Sequence, residues 1–150
     1  MSTNITLLGN FRVQDSNGGA VAVPAKKVQA LIAVLALAHP REVNRERLLD
    51  LLWGDSDRGL ARQSLRQALT TAKRSVGGVL RADRDLLSLD MDRCNVDLVA
   101  FLELSNADDI RSLHDAIEHY QGPLLEGLSI SEDEFDHWLN VERARLSKLA

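Results

Sequence analysis

Between Pro24 and His39-Pro40 lies a nearly unbroken apolar run, and nothing else in the sequence limits the fold as much. Lys26 to Ala38 carries Val28, Leu31, Ile32 and Leu35 at helical spacing, and from Val28 to Ala38 only Gln29 is polar. A helix apolar on almost every side has to be enclosed. It is far short of the roughly 20 residues that cross a bilayer, so the rest of the chain must wrap around it. With 150 residues, 45% of them hydrophobic, there is enough material for one sound core or two small ones.

The flanking pattern supplies the wrapping. Ile5-Thr6-Leu7-Leu8, Phe11-Arg12-Val13 and Val21-Ala22-Val23 are short β-prone pieces, with Asp15 to Gly19 as turn material, and they predict a small N-terminal antiparallel sheet ended by Pro24. Asn44 predicts the cap of a second helix packed through Leu48, Leu49, Leu51, Leu52 and Trp53 and broken at Gly54. A third helix from about Leu60 to Val76 places Ala61, Leu65, Ala68, Leu69, Ala72 and Val76 on one side. After Gly77-Gly78, Val79 to Ala82 and Leu86 to Leu89 predict a hairpin joined through Asp83-Arg84-Asp85. Sheet, two helices, third helix and hairpin follow in the order of a winged helix-turn-helix.

From Asp97 the chain turns acidic and helical. Short helices are expected near Leu98 to Leu104 and Asp109 to Gln121, the latter packed through Ile110, Leu113, Ile117 and Tyr120. Ser131 and Glu134 have capping-box spacing ahead of a last helix carrying Phe135, Trp138 and Leu139. Leu146 and Leu149 read as apolar positions awaiting a partner, through either a chain cut short or an oligomer contact. The expected division is 1–96 as a winged-helix domain and 97–150 as an all-α segment, an α+β chain in total.

Charge divides at the same place. Residues 1–96 carry 14 Lys+Arg against 10 Asp+Glu, and residues 97–150 carry 4 against 12, so the net −4 conceals a basic half. Between Asp57 and Asp83 no acidic residue occurs. On the third helix Arg62, Lys73 and Arg66 fall beside one another, and Thr70, Gln63, Arg74 and Gln67 continue the arc. A solvated helix face normally mixes signs to gain i,i+4 pairs, and this helix has no carboxylate of its own to offer. Arg reads guanine bidentately, Gln does the same to adenine, and a Thr methyl meets thymine, so the face holds the groups that read a major groove. Arg58 at its start, with Arg81 and Arg84 on the hairpin, is placed for backbone contact.

Other chemistries find little support. Glu132, Asp133, Glu134 and Asp136 suit the first turn of a helix, where negative side chains offset its dipole. His39, His114, His119 and His137 have no zinc-like spacing, and Cys94 is the lone cysteine, so neither a metal nor an internal disulfide is expected. Trp53, Trp138, Tyr120 and Phe101 read as core. No phosphate-cradling glycine loop and no nucleophile elbow occur, so no enzyme, cofactor or small-molecule substrate is expected. Without a secretory signal or membrane span, the expectation is a cytoplasmic protein.

Taken with their order, five stretches make the chain similar to a known family. They are Arg45 to Gly54; Ala61 to Leu69 with Lys73 to Gly77; Val96-Asp97-Leu98 with Phe101; Tyr120 to Gly127; and Trp138 to Leu146. Together they resemble the Streptomyces antibiotic regulatory protein type of activator, which joins a response-regulator-type winged helix to a bacterial transcriptional activator domain of TPR-like helices. The resemblance implies binding to direct-repeat promoter sites, often by two protomers side by side. It also implies a loop before the recognition helix, here Gly54 to Gly59 with Asp55, Ser56 and Asp57, that contacts RNA polymerase. The hairpin departs from the family pattern, having Asp85-Leu86-Leu87 where a Gly-Tyr pair is common. The expected function is a sequence-specific regulator of transcription that binds double-stranded DNA; the alternative is a protein-interaction module whose winged helix does not bind DNA.

Overall fold

The computed structural model describes residues 3–107 and 109–149. Strand β1 (Thr3–Thr6) pairs antiparallel with β2 (Arg12–Gln14), Ile5 opposite Val13. Its other edge is taken by β6 (Cys94–Val96), which runs parallel to it, in the order β2-β1-β6. The N-terminal sheet is therefore mixed rather than antiparallel. Val21 to Val23 forms no strand. The Asp15 carboxylate accepts the Asn17 and Gly19 amides and curls the turn tightly, and the chain returns through a single Gln14–Ala20 bridge before Pro24.

Helix α1 (Lys26–Ala38) occupies the expected bounds, with Ala30 through Ala36 all buried. Asn44 ends β3 (Val43–Asn44), and its side chain accepts from the Glu46 amide to cap α2 (Arg45–Leu52). Helix α3 (Arg58–Val76) starts two residues earlier than expected, because Asp57 caps it by accepting from the Leu60 amide at 3.3 Å. Gly77, at φ +59, takes a backbone conformation open to few other residues and ends the helix. A 3-10 turn (Gly77–Val79) leads into β4 (Leu80–Asp83), which turns through Arg84-Asp85 into β5 (Leu86–Leu89). The hairpin expected from the sequence is present. Strand β3 adds to it, Val43 opposite Leu87, in the order β3-β5-β4.

Three helices follow: α4 (Asp97–Ser105), α5 (Ile110–His119) and α6 (Asp133–Leu149). Three expectations fail here. Only Ala116 of α5 is buried, while Ile110, Leu113 and Ile117 are 86%, 42% and 55% exposed. Periodicity shows which residues share a face, not whether that face finds a neighbour. Ser131 sits at φ +59, two residues before α6 begins, so the capping box does not form, and Glu132 turns to Lys27 instead. Leu146 is fully buried within the chain and awaits nothing, whereas Leu149 is 45% exposed.

One hydrophobic cluster runs from Ile5 to Leu146, so the charge boundary near residue 96 falls inside continuous packing. Polar bonds fasten the same seam. The Asp97 carboxylate accepts the Leu7, Leu8 and Leu98 amides at 2.8, 3.0 and 2.8 Å. The loop 122–127 pairs with the residues that follow β1: Gly9 donates to Pro123 O, Leu125 to Leu7 O, and Glu126 to Gly9 O. A Cβ on Gly122 would come within 2.9 Å of Glu126 Oε2 and 3.1 Å of Gly9 Cα, so a larger residue would push this approach apart. Arg143 of α6 donates to the carbonyls of Leu124 and Leu125 at 2.8 and 2.9 Å and holds the loop from behind. Among the described residues no helix is long and apolar enough to cross a membrane.

Candidate nucleic-acid interface

Six apolar residues decide what α3 presents. Ala61, Leu65, Ala68, Leu69, Ala72 and Val76 are buried, which fixes the rotation of the helix about its axis. Arg62, Gln63, Arg66, Gln67, Thr70, Lys73 and Arg74 are consequently all exposed. Gln63, Arg66, Gln67, Thr70, Thr71 and Arg74 line one shallow concavity. The Thr70 hydroxyl is engaged, donating to Arg66 O at 3.0 Å, which leaves its methyl as the group free to make contacts.

The two arginines nearest the start of α3 differ from the rest. Arg58 Nη2 lies 2.6 Å from Glu46 Oε2 and its Nη1 lies 3.0 Å from Asp50 Oδ1, both across the turn on α2. Arg62 Nη2 lies 3.5 Å from Glu46 Oε1. The helix holds no acid of its own, but α2 presents two carboxylates one turn apart. Among the described residues Arg66, Lys73 and Arg74 have no such partner, so the free cationic surface spans 66–74.

The hairpin stands beside α2. Arg81 and Arg84 are exposed, with Arg84 at φ +52 on the turn. Its position is held by Arg45, whose Nε donates to Arg84 O at 2.7 Å and whose backbone amide donates to Asp85 O at 2.8 Å. In the loop before α3, Asp55 and Ser56 are exposed and Asp57 is occupied as the helix cap. That loop lies against α6: a Cβ on Gly54 would come within 3.9 Å of Glu134 Cγ.

Sequence reasoning missed Arg45, Glu46 and Asp50. Arg45 had no legible signal, because its partner is a backbone carbonyl 39 residues away. Glu46 and Asp50 share one face of α2 by their i,i+4 spacing, but what that face meets is decided by packing. Cys94 is buried, as expected for an idle thiol, and burial together with Asp90 pushes it up to about 11.

Among the described residues the architecture is α+β and winged-helix-like, three helices and a hairpin followed by three further helices packed on the same core. Among solved structures the fold is similar to that of Mycobacterium tuberculosis EmbR, determined in complex with a low-affinity phosphopeptide, at a TM-score of 0.72 and 20% identity. The likeness covers 98% of this chain but 43% of EmbR, so the chain spans less than half that protein's length. At this identity the likeness establishes the fold. No family model matches the chain, and no curated protein matches it in sequence.

Proposed function

We propose that the chain is a sequence-specific regulator of transcription, an activator that binds double-stranded DNA through α3 and the β4–β5 hairpin. The observation that carries this reading is the concavity lined by Gln63, Arg66, Gln67, Thr70 and Arg74, exposed and free of carboxylates. It combines base-reading amide and guanidinium groups with cations for phosphate, on the third helix of a helix-turn-helix. The family resemblance supports the same reading, as does a fold shared with EmbR along nearly the whole chain. By that resemblance two protomers sit side by side on direct repeats, and the loop carrying Asp55 and Ser56 meets RNA polymerase. The protein is then a cytoplasmic, non-enzymatic one.

A protein-interaction module is the second reading, favoured by the uncovered stripe Ile110, Leu113 and Ile117 on α5. Titration into duplex DNA at several salt concentrations separates the two. A DNA-binding protein shows affinity that falls linearly in log–log form with salt. An interaction module shows neither affinity nor slope, and that result would remove the first reading.

A further inference from the structure

We propose that Glu46 is a specificity-determining residue: its carboxylate stands where a phosphate would on Arg58 and Arg62, withholding the start of α3 from sequence-independent binding. This rests on the DNA-binding reading above.

Both oxygens of Glu46 are used, Oε2 on Arg58 and Oε1 on Arg62, while Asp50 takes the other Nη of Arg58. Two guanidiniums and two carboxylates form an electrically neutral group. Sequence-independent affinity comes from cations that displace counterions from phosphates, and a neutral group adds nothing to it. A base edge is different. It carries no charge, so Arg62, held by a single oxygen at 3.5 Å, keeps N–H donors for guanine while its carboxylate partner repels a phosphate at the same place. The start of a recognition helix is the part that reaches base edges. Lys73 and Arg74, without carboxylate partners among the described residues, supply the general attraction. All four paired side chains are 41–56% exposed, so the group is open to solvent at the N-terminal end of α3.

The test compares wild type, Glu46→Gln and Asp50→Asn on a random-sequence duplex and on a duplex selected from a random pool, between 50 and 200 mM salt. Glu46→Gln is expected to tighten random-duplex binding several-fold at low salt and to steepen the slope of log K against log[salt] by about 1–2. The selected duplex gains less, so the ratio between the two falls. Asp50→Asn, which frees only one contact of Arg58, shifts the same quantities less, and it tests the idea even if Glu46→Gln folds poorly. Equal weakening on both duplexes in the two variants would mean a purely structural clamp and overturn the inference. So would unchanged slopes beside a wild type that binds. A wild type that binds neither duplex would overturn the DNA-binding reading and this inference with it.

Discussion

The Lys27 ammonium lies 3.0 Å from Glu132 Oε1 and 5.2 Å from the centre of the Trp53 ring, so a single cation ties α1 to the end of α2 and the start of α6. The two partners are unequally buried: Glu132 is nearly enclosed, while Lys27 keeps a third of its side chain exposed. Removing the ammonium strands a carboxylate with little water, whereas removing the carboxylate leaves a cation that can still reach solvent. Lys27→Met should therefore destabilise by about 1–2 kcal/mol, the full buried-pair figure being reduced by the exposure of Lys27. Glu132→Gln should lose less. Urea midpoints read both, and the reverse ranking would show that the pair is not what joins these elements.

Asp97 satisfies three backbone amides at the seam between the β1–β6 sheet and the C-terminal helices. Asp97→Ala leaves those donors without a partner and should cost about 2–4 kcal/mol. Burial raises the Asp97 carboxyl above its ordinary value, outweighing the three amide donors and His119, which pull it down. The folded chain thus holds this proton more tightly than the unfolded chain does. Stability from the group is full below the ordinary carboxylate range and declines as pH rises through the raised value. Asp97→Asn should abolish that part of the pH dependence, which denaturation curves at a series of pH values will register.

Cys94 is enclosed between the strand pairing of β6 and Asp90, whose backbone carbonyl accepts from Sγ at 3.4 Å. With the thiol pushed up to about 11, the thiolate is scarce at neutral pH. Iodoacetamide should modify the native protein roughly a hundredfold more slowly, or less, than the urea-unfolded chain. Equal rates in the two states would contradict the burial.

On α3 the free and paired cations should behave differently. Arg66→Ala should lose about 1–3 kcal/mol on a selected duplex and relax base preference at one position. Lys73→Ala should weaken all duplexes alike and flatten the salt slope by about one. Arg58→Ala should leave the slope nearly unchanged, because its charge is already met by Glu46 and Asp50. Fluorescence anisotropy on selected and random duplexes separates these outcomes, and a full unit of slope lost with Arg58 would show that its partners release it to phosphate.

How much could be read in advance depended on the range of the interaction. The apolar positions of α1, α2 and α3 recur at helical spacing, and the Asn44 cap acts two residues from itself. The β4–β5 hairpin is equally local, with a two-residue turn between its strands. The exposed base-reading face followed from these, because burying Leu65, Ala68 and Leu69 leaves Arg66 and Gln67 no other direction. Tyr120 to Gly127 stands out as a motif, yet its pairing with residues 7–9 cannot be seen in the sequence.

The helices, the Asn44 cap, the hairpin and the side of α3 that faces outward follow from the amino-acid sequence, since each depends on residues a few positions apart. The assembled fold alone brings β6 beside β1 in parallel, across about 90 residues. It alone left the apolar stripe of α5 uncovered and set Glu46 and Asp50 against the arginines that begin α3. Such pairings depend on how finished elements meet in space. A pattern along the chain specifies a face but not its neighbour.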